Sequence, residues 1–350
     1  MLFHIAYQTR ETPFGGGNQF LKALKKSFIE KKCYTDDIHS ADIVLFNSFF
    51  FSEIPLFDFS YTLKKQFKNK YFLHRLDGLI SQTRNDPSQD YLDKISSLWA
   101  EIFVDGAIFQ SDFCQNRQQT TFYPTGICST VIPNASDESV FYPSGPRPKK
   151  LELPIQLVYT SWSSNMRKGF ATLAKLDEQL DFSRFTMTFI GNSPIPFTNI
   201  RTIAPQDSKT LGDSLRQADI FLGVSHDEPC SNAIGEALAC GLPALIRNEG
   251  GNPSFVHQGA VLYDSDDEIP QQLENIVEKF ESYRQNVSPA NINDIANQYI
   301  AFAEKIANSP PKKPNAKKFL TLRKEIRKHF PEVPRNLPWQ FKLWLEGLCQ

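Results

Sequence analysis

Residues 219–243 read DIFLGVSHDEPCSNAIGEALACGLP, an apolar run followed by a polar loop and a helix-forming segment. Pro229 favours a turn or an extended conformation in the loop, and Ser231 or Asn232 can cap the helix that follows. Gly241, with a proline two residues later, ends that helix. Because a short apolar strand that leads directly into a helix is half of a βαβ unit, this stretch predicts a parallel sheet.

The same alternation extends over almost the whole chain. Further strands are predicted at Phe3–Tyr7, Ile43–Asn47, Tyr71–Arg75, Ala107–Gln110 and Val131–Pro133 in the first half, and at Gln156–Ser161, Arg184–Ile190 and Ala244–Ile246 in the second. The pattern therefore predicts an α/β protein with two parallel sheets covered by helices. Ligands of such sheets collect at the carboxyl ends of the strands, so two facing sheets would place their sites in one central cleft.

A stretch rich in proline, glycine and lysine, residues 143–150, separates the two halves and is typical of a linker. We therefore predict an N-terminal domain over 1–145, a C-terminal domain over 146–310 and a basic helical tail over 311–350. The tail has ten Lys and Arg residues and only three Asp and Glu. We expect it either to pack back on the N-terminal domain or to contact an anionic membrane surface.

The composition of the 350-residue chain excludes several classes of protein. Lys+Arg 38 against Asp+Glu 39 gives a formal net charge of −1, which does not fit a nucleic-acid-binding protein. The N-terminus lacks a basic segment followed by a long apolar run, and no stretch approaches the ~18 apolar residues of a membrane span. None of the six cysteines forms a C-x-x-C pair or lies at zinc-ligand spacing from a histidine. We therefore expect a cytoplasmic protein with reduced cysteines and no signal peptide.

Two glutamates flank the start of the helix predicted in 219–243. Glu228 lies on the loop after the strand, and Glu236 lies about one turn into the helix. The free N–H groups and partial positive charge of a helix start, here at Ser231 and Asn232, suit a phosphate. Glu236 could then accept hydrogen bonds from vicinal hydroxyls such as those of a ribose, and Glu228 from a sugar beyond the phosphates. The alternative is a pair of solvated carboxylates beside a favourable helix dipole.

This stretch resembles the E-x7-E region of family 4 glycosyltransferases, which are retaining enzymes of the GT-B fold. Their pattern of Glu, seven residues, Glu-Ala, three residues and Gly-Leu-Pro is met from Glu228 through Pro243. Gly250 and Gly251 resemble the diglycine turn of the family, although Ser254 stands where the family often has Glu. The resemblance covers the chain up to the tail. It implies two Rossmann-like, doubly wound domains that face a central cleft.

The turn after the first strand of the second half has two adjacent cations, Arg167 and Lys168, before Gly169. Cations and backbone donors at a strand-to-helix turn can hold a diphosphate. The resemblance assigns this role to Lys168, because the family has a Lys-Gly pair here. The family's preceding Arg is missing at Ser163, and Arg167 either supplies the second charge or is an ordinary surface residue. Gly191, at the end of the next strand, resembles the family's glycine beside the nucleotide base.

The first half has a glycine-rich loop and a polar cluster, each after a strand. Gly16 and Gly17 lack a side chain, which lets the backbone approach a phosphate or a sugar of the donor; the alternative is a plain flexible loop. The resemblance implies that His74 contacts the transferred sugar, and the alternative is a structural histidine. Arg75 and Asp77 are predicted on the acceptor side, where Asp77 either orients the acceptor or caps the turn.

The resemblance implies a retaining hexosyltransferase, as in polysaccharide biosynthesis, with a nucleotide-diphosphate sugar as donor and a glycan, lipid-linked or other hydroxyl acceptor. Lys168, Glu228 and His74 would act at the reaction centre, and the leaving diphosphate would take the proton of the acceptor. No Asp-x-Asp pair occurs where a metal would bridge a diphosphate, so we expect neither a metal nor another cofactor. The alternatives are a nucleotide-sugar epimerase of the same fold and a catalytically silent nucleotide-sugar-binding protein.

Overall fold

The computed structural model describes residues 1–7, 9–10, 15–47, 64–65, 69–143, 145 and 151–329. Contacts divide the described residues into two compact units. The first contains the N-terminal strand, Lys25–Ile132 and the residues from Ala296 onward, and the second contains Thr9–Leu24 and Pro133–Ile295. Each unit therefore combines separate segments of the chain, whereas the domains predicted from the sequence are continuous segments. The predicted linker residues 146–150 and the tail residues 330–350 lie outside the described residues.

The first unit is built on a parallel sheet whose described strands follow the order of the chain, β1-β2-β3-β4-β5. These strands are β1 (Phe3–Ala6), β2 (Ile43–Asn47), β3 (Tyr71–Leu76), β4 (Gly106–Phe109) and β5 (Cys128–Val131). The helices whose bounds are described in this part of the chain are α1 (Gly16–Glu30), α2 (Ile80–Thr83), α3 (Asp90–Phe103) and α4 (Asp112–Thr121). All five strands were predicted, although β5 begins earlier than expected.

The core of the first unit is aromatic because α3 turns one face toward the sheet. Ile95, Trp99 and Phe103 recur every four residues along α3 and are fully buried. The last described helix, α11 (Ala316–His329), lies where the basic helix was predicted and packs against α3, with the rings of Phe319 and Phe103 5.9 Å apart. Burial of each such ring stabilises the unit by roughly 2–3 kcal/mol.

The second unit is also built on a parallel sheet, and its strand order reverses: β8-β7-β6-β9-β10-β11. The strands are β6 (Ile155–Ser161), β7 (Phe185–Gly191), β8 (Arg201–Ile203), β9 (Ile220–Gly223), β10 (Ala244–Arg247) and β11 (Ala260–Tyr263). The chain builds outward from β6 and then returns to its other side with β9. In an open α/β sheet such a reversal leaves a crevice at the carboxyl ends of the two central strands.

The helices that follow in the chain are α5 (Phe170–Gln179), α6 (Ser208–Gln217), α7 (Asn232–Ala239), α8 (Ile269–Glu278), α9 (Phe280–Gln285) and α10 (Ile292–Ala307). Helix α7 begins after Ser231 and ends before Gly241, as predicted. The two edge strands, β8 and β11, have three and four residues and were not predicted. Within the described part of the chain, none of the helices has the length and apolar character needed to cross a bilayer.

Candidate functional site

A cavity of about 210 Å³ lies at the carboxyl ends of β6, β7, β8 and β9. Its walls are formed by Gly15, Gly16, Gln19, Tyr159, Thr160, Ser161, Trp162, Ser163, Lys168, Ile190, Gly191, Pro205, Gln206, Ser208, Leu211, Ser225, Glu228, Cys230, Ser231, Asn232, Ala233 and Glu236. All of these residues belong to the second unit. The cavity therefore occupies the crevice that the reversal of strand order predicts.

Two opposite charges meet in this cavity because β6 and β9 are neighbours in the sheet. Lys168 ends the short turn Met166–Lys168 after β6, and Glu228 lies on the loop after β9. The Nζ atom of Lys168 forms an ion pair with Oε1 of Glu228, and the two side chains are 29% and 13% exposed. The cation and the carboxylate thus neutralise each other while both remain accessible from the cavity.

The preceding cation, Arg167, has a different environment from Lys168. Its guanidinium forms an ion pair with Asp227, and it does not belong to the residues that line the cavity. The backbone of Asp227 has a positive φ of 50°, which is uncommon for a residue with a side chain. The two adjacent pairs therefore run side by side between the same loops, but only the Lys168–Glu228 pair reaches the cavity.

The glycine after Lys168 is required by the close approach of these loops. Gly169 has a φ of +80°, and a Cβ atom there would lie 2.2 Å from the carbonyl oxygen of Val224. A larger residue would push the Lys168 turn away from the end of β9. The loop that carries Glu228 is held by a second contact, because the N–H of Gly251 donates to the carbonyl of Glu228 at 2.7 Å. The Lys-Gly pair and the diglycine turn thus fix the two charged loops in place.

The start of α7 forms another wall of the cavity. Ser231 caps the helix, and Nδ2 of Asn134 donates to Oδ1 of Asn232 at 3.1 Å. Gly16 approaches this point so closely that a Cβ atom would lie 2.4 Å from Cβ of Asn232. Gly17 does not line the cavity, and nothing lies within 4 Å of the place where its Cβ would be. Of the two predicted glycines, the structure therefore brings Gly16 to the site.

Glu236 lines the cavity from the second turn of α7 and is only 7% exposed. No hydrogen bond or ion pair joins its carboxyl to any of the described residues. Because burial penalises the charged form, the pKa of this carboxyl is raised from 4.5 to about 8. The carboxyl therefore lines the cavity without a protein partner among the described residues.

The predicted residues of the first unit do not line this cavity. His74 is fully buried, hydrogen-bonds the hydroxyl of Tyr123 at 3.0 Å through Nδ1, and meets the edge of Trp99. This placement corresponds to the structural histidine that the sequence left as the alternative to a sugar contact. Arg75 is also fully buried and hydrogen-bonds Asn47 and Asp77. Sequence reasoning took the polar character of these side chains as a sign of access, which burial in the sheet removes.

Several lining residues were not singled out from the sequence. Gly191 was predicted, but Trp162, which is 41% exposed, and Gln206, after β8, were not. Ser225 and Tyr159 were assigned only to a loop and a strand. The signal that could have found them is a polar or aromatic residue at the carboxyl end of a predicted strand, beside a residue already assigned to the site.

Comparison with known proteins agrees with this geometry. Residues 198–294 match the family described as Glycosyl transferases group 1, and this segment contains Glu228 and Glu236. No curated protein sequence matches the chain. The family match leaves out the turn of Lys168, which comes earlier in the chain.

Three solved structures share the fold. Sucrose-phosphate synthase from Thermosynechococcus elongatus is 14% identical, with a TM-score of 0.54 and coverage of 93% of this chain and 81% of that one. HepE from Anabaena, solved with UDP-glucose, is 14% identical, with a TM-score of 0.59 and coverage of 88% and 98%. WaaG, a glycosyltransferase of lipopolysaccharide biosynthesis, is 11% identical, with a TM-score of 0.58 and coverage of 88% and 99%. The fold is thus that of GT-B glycosyltransferases, with two parallel-sheet Rossmann-like α/β domains.

Proposed function

We propose that this protein is a retaining glycosyltransferase of family 4 type that uses a nucleotide-diphosphate sugar as donor. The observation that carries the proposal is Glu236. A buried carboxyl without a partner destabilises the folded chain, and hydroxyl groups of a ligand would supply the hydrogen bonds that it lacks. Lys168 and the start of α7 line the same cavity, so a group that binds Glu236 by hydroxyls has a site for phosphate beside it.

The order of the strands suggests how the donor lies. Neighbouring parallel strands are roughly 4.8 Å apart, so the loops after β9, β6, β7 and β8 form an edge long enough for an extended nucleoside diphosphate. We place the diphosphate at Lys168 and the start of α7, and the ribose at Glu236. The base then extends toward Gly191 and the loop after β8, and the transferred sugar toward Glu228.

This placement gives each charged side chain a task in the transfer. On donor binding, Lys168 exchanges its bond to Glu228 for one to a phosphate oxygen, and Glu228 becomes free to accept from sugar hydroxyls. The bond from the anomeric carbon to the diphosphate breaks, the oxygen of the acceptor hydroxyl bonds to that carbon on the same face, and the leaving diphosphate oxygen takes the proton of this hydroxyl. Lys168 and the N–H groups of α7 stabilise the negative charge on the leaving phosphate. We propose that the reaction proceeds without a metal ion.

The test is a panel of UDP-, GDP- and ADP-sugars, with binding and release of nucleotide measured by NMR, in the presence and absence of EDTA. We expect saturable binding of one donor and EDTA-insensitive release. Release should fall by roughly 100-fold or more in Lys168→Ala and Glu228→Ala. Lys175→Ala is the matched control, because Lys175 is a cation of the same unit that pairs with Asp267 away from the cavity. Equal behaviour of Lys168→Ala and Lys175→Ala would contradict the site, and a folded protein that binds no donor would contradict the function.

For the acceptor, we propose a hydroxyl of a glycan or of a lipid-linked sugar, with Asp77 on its side and the buried Arg75 holding Asp77 in place. The Asp77 side chain is 41% exposed, and Arg75 and Gln110 hold it by hydrogen bonds. An oriented and accessible carboxylate can accept a hydrogen bond from an acceptor hydroxyl. Asp77→Asn should raise the KM for the acceptor and leave slow donor hydrolysis unchanged. A loss of donor hydrolysis would contradict this assignment.

We also propose that the basic tail contacts an anionic membrane. Phe319, Leu322 and Ile326 of α11 are buried, whereas Lys317 and Lys324 are exposed. Exposed lysines beside a membrane contribute roughly 1 kcal/mol each. The chain should sediment with phosphatidylglycerol vesicles and not with phosphatidylcholine vesicles, and the double change of Lys317 and Lys324 to Glu should weaken that binding. Equal sedimentation with both vesicles would contradict it.

A further inference from the structure

Tyr159 lies on β6, a central strand of the second sheet that leads to the turn of Lys168. It is 2% exposed and is one of the residues that line the cavity. Its ring contacts Phe189 of β7 at 5.9 Å and Phe221 of β9 at 6.0 Å between centroids. The ring is therefore fixed by both neighbouring strands, and the position of its hydroxyl is determined by the sheet.

The hydroxyl of Tyr159 makes two hydrogen bonds, and their directions follow from the chemistry of the partners. It lies 2.9 Å from the carbonyl oxygen of Lys168 and 2.7 Å from Oγ of Ser225. A carbonyl oxygen can only accept, so Tyr159 donates its single proton to Lys168. The hydroxyl of Ser225 must then donate to the oxygen of Tyr159. Burial raises the pKa of Tyr159, which keeps this proton in place.

These two bonds join the loops that hold the charges of the site. Lys168 ends the turn after β6, and Ser225 opens the loop after β9 that continues to Glu228. The same loops are joined a second time, because the N–H of His226 donates to the carbonyl of Arg167 at 2.8 Å. The two loops are therefore joined by a main-chain hydrogen bond, from His226 to Arg167, and by side-chain hydrogen bonds through Tyr159.

We propose that Tyr159 is a positioning residue that holds the backbone of Lys168 against Ser225 and so keeps the ammonium of Lys168 and the carboxylate of Glu228 aligned for a diphosphate sugar. The part of this proposal that concerns the donor rests on the proposed function. The part that concerns the loops does not. A second consequence is that Ser225 has its proton committed to Tyr159, so it offers only lone pairs to the cavity. Its oxygen suits a hydroxyl of the ligand and not a phosphate oxygen.

The first arm of the test needs no substrate. Hydrogen exchange of the full chain is compared between the wild type and Tyr159→Phe, which keeps the ring and removes the hydroxyl. Peptides that cover 165–169 and 224–228 should exchange roughly three- to tenfold faster in the variant, and peptides of α8 should not change. Tyr263→Phe is the matched control, because Tyr263 is 1% exposed and its hydroxyl donates to the carbonyl of Gly223 outside the cavity. Unchanged exchange in both loops would overturn the proposal.

The second arm measures the Kd of the folded variants for the nucleotide sugar that the wild type binds. We expect Tyr159→Phe to raise this Kd roughly three- to tenfold, and Tyr263→Phe to leave it unchanged even if both lose similar stability. Faster exchange without a change in Kd would overturn the role of Tyr159 in the site. Faster exchange in a chain whose wild type binds no nucleotide sugar would overturn the proposed function and leave the loop linkage supported.

Discussion

Polar side chains stand at the ends of neighbouring strands in both units. In the first unit, Arg75 of β3 is fully buried and hydrogen-bonds Asn47 of β2 and Asp77 beyond the strand. In the second unit, Lys168 and Glu228 follow β6 and β9, pair with each other, and remain partly exposed in a cavity. Both clusters contain a cation and a carboxylate. The cation of the first cluster is enclosed by its own sheet, whereas the cation of the second lines a space that a ligand can enter.

The difference follows from the order of the strands. The described strands of the first sheet follow the chain, so each connection leads to the next strand along the sheet. The second sheet reverses between β6 and β9, and the connections on the two sides lead away from each other there. At the second cluster, the topology therefore opens a crevice beside the polar strand ends. Loss of the cation should therefore destabilise the protein more at the first cluster than at the second.

The largest expected effect is on Glu236. Its carboxyl ionises near 4.5 in the unfolded chain and near 8 in the folded one. Below pH 4.5 both states are protonated; between pH 4.5 and 8 only the unfolded chain gains the charge, so the free energy of unfolding falls across this window and levels off above it. Glu236→Gln removes this loss, which amounts to roughly 5 kcal/mol at most. Denaturant unfolding of the wild type and of Glu236→Gln from pH 5 to 9 measures the difference in their free energies of unfolding. This difference should grow up to pH 8.

Donor binding by the wild type should show the opposite trend. If ribose hydroxyls donate to the carboxylate, binding favours the ionised form of Glu236, so donor affinity should rise with pH up to about 8. Glu236→Gln should bind the donor weakly and lose this dependence. If the difference in free energy of unfolding between Glu236→Gln and the wild type were no larger at pH 8 than at pH 5, the carboxyl would have a partner in the folded chain. The contrast with the first unit would then be removed.

Arg75 should give the next largest effect, with the opposite sign. Arg75→Met leaves Asn47 without its donor and Asp77 without its cation, which should destabilise the protein by about 3–5 kcal/mol. Lys168→Met is the matched change in the second unit, and it should destabilise by less, because both partners are partly exposed. Urea unfolding of the two variants compares them directly. A stable Arg75→Met protein that has lost transfer activity would identify the first cluster as a ligand site as well.

Much of the second unit could be predicted from the sequence because its signals are local. The strand, loop and cap of 219–243 are each determined by neighbouring residues. In the first unit, α11 also lies where the basic helix was predicted. These elements were placed to within a few residues.

The burial of His74 and Arg75 could not be predicted, because it depends on residues that are distant in the sequence. His74 contacts Tyr123, which lies 49 positions away, and the partner of Arg75 on β2 lies 28 positions away. The exchange of segments between the units, such as Thr9–Leu24, likewise follows from packing and not from any local pattern. Polar residues at a strand end give the same sequence signal whether the sheet buries or exposes them.

Substitution of Gly16 and of Gly17 should have different effects, because an added Cβ atom meets Asn232 at Gly16 and open space at Gly17. Gly16→Ala would place a methyl group against Cβ of Asn232, so it should displace the start of α7 and weaken donor binding. It should also lower the free energy of unfolding by roughly 1–3 kcal/mol. Gly17→Ala has open space inside α1 and should stabilise the helix by roughly 0.5–1 kcal/mol without changing donor affinity. Calorimetric titration with the donor, together with thermal unfolding, measures both effects. Equal donor affinities would mean that Gly16 does not form part of the wall.

The smallest effect is expected at Arg167, and it tests the contrast between neighbouring cations. The ion pair of Arg167 with Asp227 lies away from the cavity, and both side chains are about one-quarter exposed, at 26% and 23%. A partly exposed pair contributes roughly 0–1 kcal/mol, so Arg167→Ala should change stability little and raise the donor Kd by less than about threefold. Lys168→Ala in the same assay should raise it far more, because only Lys168 reaches the diphosphate. If Arg167→Ala weakened binding as strongly as Lys168→Ala, Arg167 would leave Asp227 when the donor binds and would supply the second charge that Ser163 lacks.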